Sequence, residues 1–241
     1  MDSNYKSYDY LDSFDRIDEI LAQPQGNYEE KKSLPDRDEL TYTNGFYAYC
    51  SAVFMDIRDS SKLPEIYTRP ALAKLYRAFI SEMVAILNSN ITAREINIVG
   101  DCVWAVVNTP SKSDIDAVFY QLCQANSLLK VLNYKLDKKG YTTPLKIGIG
   151  ASYGRALMIK AGLKGSGLAD VVYMGDVVNQ ASKLAAKGAG VLWEPIVLDE
   201  AFEQNLNDHN RDLTKYNYGT GIYTSNAVIT KMEDWYNANC I

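Results

Sequence analysis

At 241 residues with a 47% hydrophobic share, the chain has the length and apolar content of one large globular domain with a short extension. A net charge of −5 with no Lys/Arg-rich block argues against a nucleic-acid or anionic-membrane surface. A nucleotide substrate stays open, because metal ions supply positive charge locally.

In chain order, Met1–Tyr10 is polar and acidic, and no apolar run reaches membrane-spanning length, so a cytoplasmic protein is expected. Tyr8–Ala22 reads as an amphipathic helix, with Leu11, Phe14, Ile17, Ile20 and Leu21 at helical spacing among acids. Its apolar stripe has two open roles: packing on its own domain, or a dimer or regulatory contact. Gln23–Asn44 is polar, carries Pro24 and Pro35, and reads as a linker. Residues 1–44 are therefore taken as an extension and 45–241 as the main domain.

Phe46–Ile57 is aromatic and β-branched, a strand whose end carries Asp56. Pro64–Asn88 reads as one long helix. Glu95–Val99 and Cys102–Val107 are strands separated only by Gly100-Asp101, a two-residue hairpin. Asp114–Leu136 returns as a helix. Leu145–Ser152 and Arg155–Ala161 suggest a strand pair around Tyr153-Gly154, followed by a Gly-rich loop from Gly162 to Ala169. The strand Val171–Met174, the helix Asp176–Lys187, the strand Val191–Leu198 and short strands near Tyr216–Val228 complete the pattern. Long hairpins with helices over one face point to an α+β, ferredoxin-like sandwich.

The four cysteines, Cys50, Cys102, Cys123 and Cys240, form no CxxC pair and read as reduced core-filling thiols. His209 is the only histidine and lies in a polar run, which excludes a two-histidine mechanism. The informative residues are Asp56, at the end of an apolar strand, and Asp101, at a hairpin tip. In a ferredoxin-like sheet both can converge at one edge. Two converging carboxylates suit hard cations such as Mg²⁺ or Mn²⁺ and an in-line displacement at phosphorus. Plain helix-capping and turn roles explain the same two residues equally well. Ser60-Ser61 offers either a phosphate cradle or a helix cap. Gly162–Gly167 lacks GxGxxG or a Walker Lys and reads as a hairpin loop.

Phe54-Met55-Asp56-Ile57-Arg58, Ile98-Val99-Gly100-Asp101, Ile147-Gly148-Ile149-Gly150 and Gly175-Asp176-Val177-Val178-Asn179-Gln180-Ala181-Ser182-Lys183-Leu184, in this order, resemble the class III nucleotidyl cyclases. The resemblance runs from about Gly45 to the C-terminal strands. It implies a head-to-tail homodimer with active sites across the interface and a catalytic domain over 45–241. It implies two divalent cations per site, Mg²⁺ or Mn²⁺, held by Asp56, Asp101 and the backbone of Ile57. The backbone of Ile57 to Ser61 would hold the triphosphate, Asn179 would orient the ribose and transition state, and Arg155 matches a position where some members use Arg against terminal phosphates.

The departures concern base reading. Adenylate cyclases of this class usually carry Lys where this chain has Asn97, and Asp where it has Val172; guanylate cyclases commonly use Glu and Cys. Asn and Val cannot reproduce the Lys–Asp hydrogen-bond pattern. The transition-state Arg is replaced by Lys183, which keeps charge but loses the bidentate fork. Intact metal positions with rewritten base positions resemble the bacterial pyrimidine cyclases of the Pycsar antiphage systems. That resemblance implies UTP as substrate, cyclic UMP as product and a companion effector reached through it. CTP, a purine nucleotide, and a catalytically silent nucleotide-binding dimer are the alternatives.

Overall fold

Two long antiparallel strands organise the molecule, for which a computed structural model describes residues 3–24 and 27–240. Met1, Asp2, Gln25, Gly26 and Ile241, which belong to the polar N-terminus, the expected linker and the chain end, lie outside the described residues. After helix α1 (Tyr10–Leu21), a short strand β1 (Tyr28–Glu30) leads into β2 (Gly45–Ile57), then helices α2 (Leu63–Ile66) and α3 (Arg69–Asn88). The hairpin β3 (Ala93–Val99) and β4 (Cys102–Asn108) precedes the longest helix, α4 (Lys112–Asp137). A larger hairpin, β5 (Ile147–Leu163) and β6 (Leu168–Met174), leads into α5 (Asp176–Ala185). The remainder is β7 (Ile196–Asp199), single-turn helices α6 (Glu200–Glu203) and α7 (Asp208–Arg211), strands β8 (Lys215–Asn217) and β9 (Ile222–Ser225), and α8 (Thr230–Asn239).

One mixed sheet of order β3-β4-β2-β5-β7-β9-β8 results, with β1 added to β2 and β6 to β5. Strand alternation assigns its two faces. Val53, Met55 and Ile57 of β2, Val103 and Ala105 of β4, and Ile147 and Ile149 of β5 are buried under α3 and α4, against Phe79, Met83 and Phe119. The intervening residues face the other side, where Ala52, Phe54, Trp104 and Val106 pack with Val177 and Ala181 of α5. This is the expected α+β arrangement, with helices over one face and α5 alone on the other.

Glycine makes the second face possible. A β-carbon at Gly148 would lie 2.0 Å from the Ala185 carbonyl oxygen, and one at Gly150 would lie 2.2 Å from that of Ala181. The alternating glycines of Ile147-Gly148-Ile149-Gly150 thus bury isoleucines on one side and let α5 rest on main chain on the other.

Several elements differ from the sequence reading. Tyr153-Gly154 is no turn: β5 runs straight through it, with Tyr153 opposite Ser51 and Gly154 opposite Cys50. A β-carbon at Gly154 would lie 3.4 Å from Val177, an ordinary contact, so neither a chain reversal nor the approach of α5 requires glycine there. The helix expected over Pro64–Asn88 breaks at Tyr67-Thr68, because Pro70 has no N–H to bond four residues back. The strand expected over Val191–Leu198 shortens to β7, and Val191 and Leu192 are exposed. The hairpin reading of the Gly-rich loop holds. Within the stretch read as linker, β1 pairs with β2, and Leu34 and Leu40 are buried against Phe46, Met158 and Tyr173. The apolar stripe of α1 is exposed, and no α1 residue is buried. No helix among the described residues is long and apolar enough to cross a membrane.

Candidate active site

Asp56 sits opposite Cys102 on one side and Gly148 on the other, one pair from the β3–β4 turn that carries Asp101. Gly100 makes that turn possible with φ +62°, a left-handed conformation that favours glycine. The two acids are close enough for Asp56 to feel the charge of Asp101. Burial, then the charge of Asp101, pushes the Asp56 carboxyl above the ordinary aspartate range, and Arg58 pulls the other way. Asp101 Oδ2 is buried with no hydrogen-bond partner, one of two such side-chain atoms among the described residues; the other is Glu203 Oε2. A buried carboxylate oxygen without a donor is costly unless a ligand completes it.

Of the plain alternatives for these acids, the turn role of Asp101 stands, since it lies in the β3–β4 turn, and the capping role of Asp56 does not. The 3₁₀ turn Ser60–Lys62 is preceded by Asp59, in a left-handed conformation, and Asp56 caps nothing. Two half-buried oxygen donors and an orphaned Oδ2 fit a hard divalent cation, and the described residues add no cluster of three or more acid, His or Cys ligands. Ile57 is 2% exposed and its side chain belongs to the core, so only its main chain can serve a ligand. Cys102, beside both acids, is held as a neutral thiol, pushed up to about 12 by burial first and then by Asp56 and Asp101.

A cavity of about 330 Å³ opens beside Asp56, between the sheet and the C-terminal end of α5. Phe54 and Trp104 form one wall, with ring centroids 5.3 Å apart and planes within 4° of parallel; Val99 and Cys102 flank them, and Ser182, Ala185 and Ala186 close it from the helix. The Arg58 guanidinium donates to the Ala186 carbonyl and ties the end of β2 to the end of that helix. A larger cavity of about 930 Å³ lies between α3 and α4 on the opposite face. It holds no acid pair, whereas the smaller one is bordered by Asp56.

Not every residue singled out from sequence gathers here within one chain. Ser60 and Ser61 lie four and five residues after Asp56, in the 3₁₀ turn, and neither hydroxyl is hydrogen-bonded among the described residues. Asn97 lies on β3 opposite Trp104, on the same face as Phe54 and Asp56. Val172 lies on β6 opposite Ile159 and is 40% exposed. Asn179 and Lys183 occupy the exposed side of α5, opposite its buried Val177, Ala181 and Leu184, and do not line the cavity. Arg155 lies opposite Tyr49, seven residues along β5 from the Asp56 pairing, or about 23 Å. Its guanidinium pairs with Glu30 and lies 4.1 Å over the Tyr47 ring. Phe46, at the start of β2, is buried in the core. Sequence reasoning missed Phe54 and Trp104 as cavity walls, although their alternation with core residues was a usable signal.

Residues 44–215 match the family model described as the adenylate and guanylate cyclase catalytic domain. The chain is 49% identical over 190 residues to a uridylate cyclase of Gulbenkiania mobilis, covering 76% of this chain and 73% of that one. It is 37% identical over 234 residues to a uridylate cyclase of Treponema porcinum, covering 95% and 81%. Among solved structures, the adenylyl cyclase CyaB from P. aeruginosa superposes with a TM-score of 0.63 at 23% identity, covering 76% of this chain and 95% of that chain. That likeness supports the fold.

Proposed function

The chain belongs to the adenylate and guanylate cyclase catalytic-domain family, and we propose that within it this protein is a uridylate cyclase. The observation that carries the reading is its similarity, over most of its length, to two relatives named for that activity. Asn97 and Val172, in place of the residues that read a purine edge, support it from within the chain.

In this reaction the ribose 3′ oxygen of UTP bonds to the α-phosphorus as the bond to the bridging oxygen of the β-phosphate breaks. The hydroxyl proton passes to solvent, and 3′,5′-cyclic UMP and pyrophosphate leave. Two divalent cations, Mg²⁺ or Mn²⁺, would supply positive charge against the triphosphate and the attacking oxygen. Asp56, Asp101 and the Ile57 main chain would hold them. Main-chain N–H groups from Asp59 to Ser61 would donate to phosphate oxygens, since the Arg58 N–H is already bonded to the Lys146 carbonyl at 2.8 Å. Asn179 would orient the ribose, and Lys183 would place a point charge against the developing phosphate charge. Because Asn179 and Lys183 face outward, this reading makes each site composite, with α5 of one protomer over the acids of its partner in a head-to-tail homodimer. The cytoplasmic setting and an antiphage effector that responds to cyclic UMP belong to the same proposal and rest on the resemblance to the Pycsar cyclases.

The test is product analysis by mass spectrometry, with equal UTP, CTP, ATP and GTP and Mn²⁺. Cyclic UMP should dominate, followed by cyclic CMP. A dominant cyclic AMP or cyclic GMP product refutes the assignment.

A further inference from the structure

Asn97 and Val172 sit on strands that do not pair, since β3 is an edge strand and β6 is attached to β5. What holds those strands relative to each other comes from residues 34–40, outside the span matched by the family model. This segment crosses the face of the sheet. Leu34 and Leu40 are buried in the apolar cluster, and the Leu34 N–H donates to Asn108 Oδ1 at 2.8 Å. Between them a 3₁₀ turn, Arg37–Glu39, is fixed by reciprocal bonds between Asp36 and Glu39, and Arg94 donates to Asp36 at 2.8 Å.

Arg37 then makes the connection. Its Nη1 donates to both Glu95 oxygens, at 3.1 and 3.0 Å, and its Nη2 donates to the Asp170 carboxylate. Glu95 precedes Asn97 by two residues on β3, and Asp170 precedes Val172 by two on β6. In a strand, a two-residue step keeps the same face at roughly 7 Å. The Glu95 carboxylate is only 11% exposed and feels the negative charge of Asp170. Without the guanidinium, two acids on two unpaired strands would repel each other. A lysine ammonium is a point charge and cannot form the fork to one carboxylate while reaching the other.

We propose that Arg37 is a positioning residue for base selection: it sets the separation of β3 and β6, and with it the spacing of positions 97 and 172 around the nucleobase. The proposal rests on the assignment of Asn97 and Val172 as the base-facing positions. It makes the N-terminal segment a specificity element of the cyclase domain.

The test compares full-length wild type, Arg37→Lys, Arg37→Ala and Asp170→Asn with equal amounts of the four nucleoside triphosphates and Mn²⁺, recording product ratios, KM, kcat and Tm. For Arg37→Lys, KM for the preferred nucleotide should rise about tenfold and its advantage over the next best should narrow about tenfold, with kcat within about twofold. Asp170→Asn, which cuts one arm of the bridge at a partly exposed carboxylate, should shift the ratio the same way and carries the comparison if Arg37→Ala does not fold. Unchanged product ratios and KM in Arg37→Lys and Asp170→Asn overturn the proposal. So does a loss of kcat at an unchanged ratio, which marks a purely structural role. The wild-type profile tests the substrate assignment, whereas the shift between variants tests Arg37 whichever nucleotide wild type prefers.

Discussion

Replacing Gly150 by alanine tests whether the contact of α5 on bare main chain positions the chemistry. The added methyl would meet the Ala181 carbonyl oxygen and the Ala185 nitrogen, each at 2.2 Å. Non-bonded atoms of this kind need about 3.4 Å, so α5 would have to lift by about 1.2 Å. Overpacking of this size costs about 1–3 kcal/mol, or roughly 2–12 °C in Tm for a chain of this length. The functional loss should be larger than the stability loss, because a displacement near 1 Å of positioning groups costs about a hundredfold in rate. Pyrophosphate release by Gly150→Ala, measured below its own melting point, should therefore fall about a hundredfold. Gly154→Ala is the internal control: its methyl would meet Val177 at 3.4 Å, an ordinary contact, and activity should stay within about threefold of wild type. A Gly150→Ala enzyme that matches the Gly154→Ala control in rate refutes the positioning argument.

Three further expectations follow from the geometry. Asp56→Ala and Asp101→Ala should each abolish turnover in a folded protein at saturating Mn²⁺, and mixing Asp56→Ala with Asn179→Ala subunits should restore it; activity in either aspartate variant, or no recovery after verified subunit exchange, contradicts the site. Burial holds the Asp199 carboxyl above the ordinary aspartate range, with Ser152 and the Phe202 N–H opposing, so the folded state takes up its proton first. Its contribution to stability is complete below the ordinary range and lost as pH rises through the raised value, and Asp199→Asn should flatten that part of a urea-stability profile between pH 4 and neutrality. Burial pushes the thiols of Cys50 and Cys123 up to about 12, so iodoacetamide at pH 8 should spare both until the protein unfolds; prompt labelling of either in the native state argues against the packing.

The sequence was most legible where local pattern and fold agree. Asp56 and Asp101 stood out because each interrupts an apolar run at a strand end or a two-residue turn, and the sheet places them together. The glycine alternation of 147–150 was visible as a motif, but its purpose, room for a helix, needs a second element on the page. Gly154 misled because a glycine next to a tyrosine between two apolar runs resembles a turn, and only the pairing with β2 shows one unbroken strand. The α8 helix escaped notice because it buries none of its residues. Least legible was the segment over 34–40: two isolated leucines in a polar run carry no periodicity, and Arg37 finds its acids 58 and 133 residues away. Whether the outward Asn179 and Lys183 meet a second copy is a property of two chains, and no single sequence pattern contains it.

That last separation has a consequence for how the chain is made. Residues 34–40 leave the ribosome early, yet one of Arg37's acids, Asp170, is synthesised 133 positions later. Until β6 exists and lies on β5, the two leucines have no closed apolar surface to enter and the arginine has only half its partners. Contacts of such span are slow to form because a long loop must close before they return anything. A segment made early thus docks on its face of the sheet only after β6 is in place. Through most of translation the β2–β4 face stays open on that side, and this interval is where a nascent chain would be most exposed to mispairing or to a chaperone.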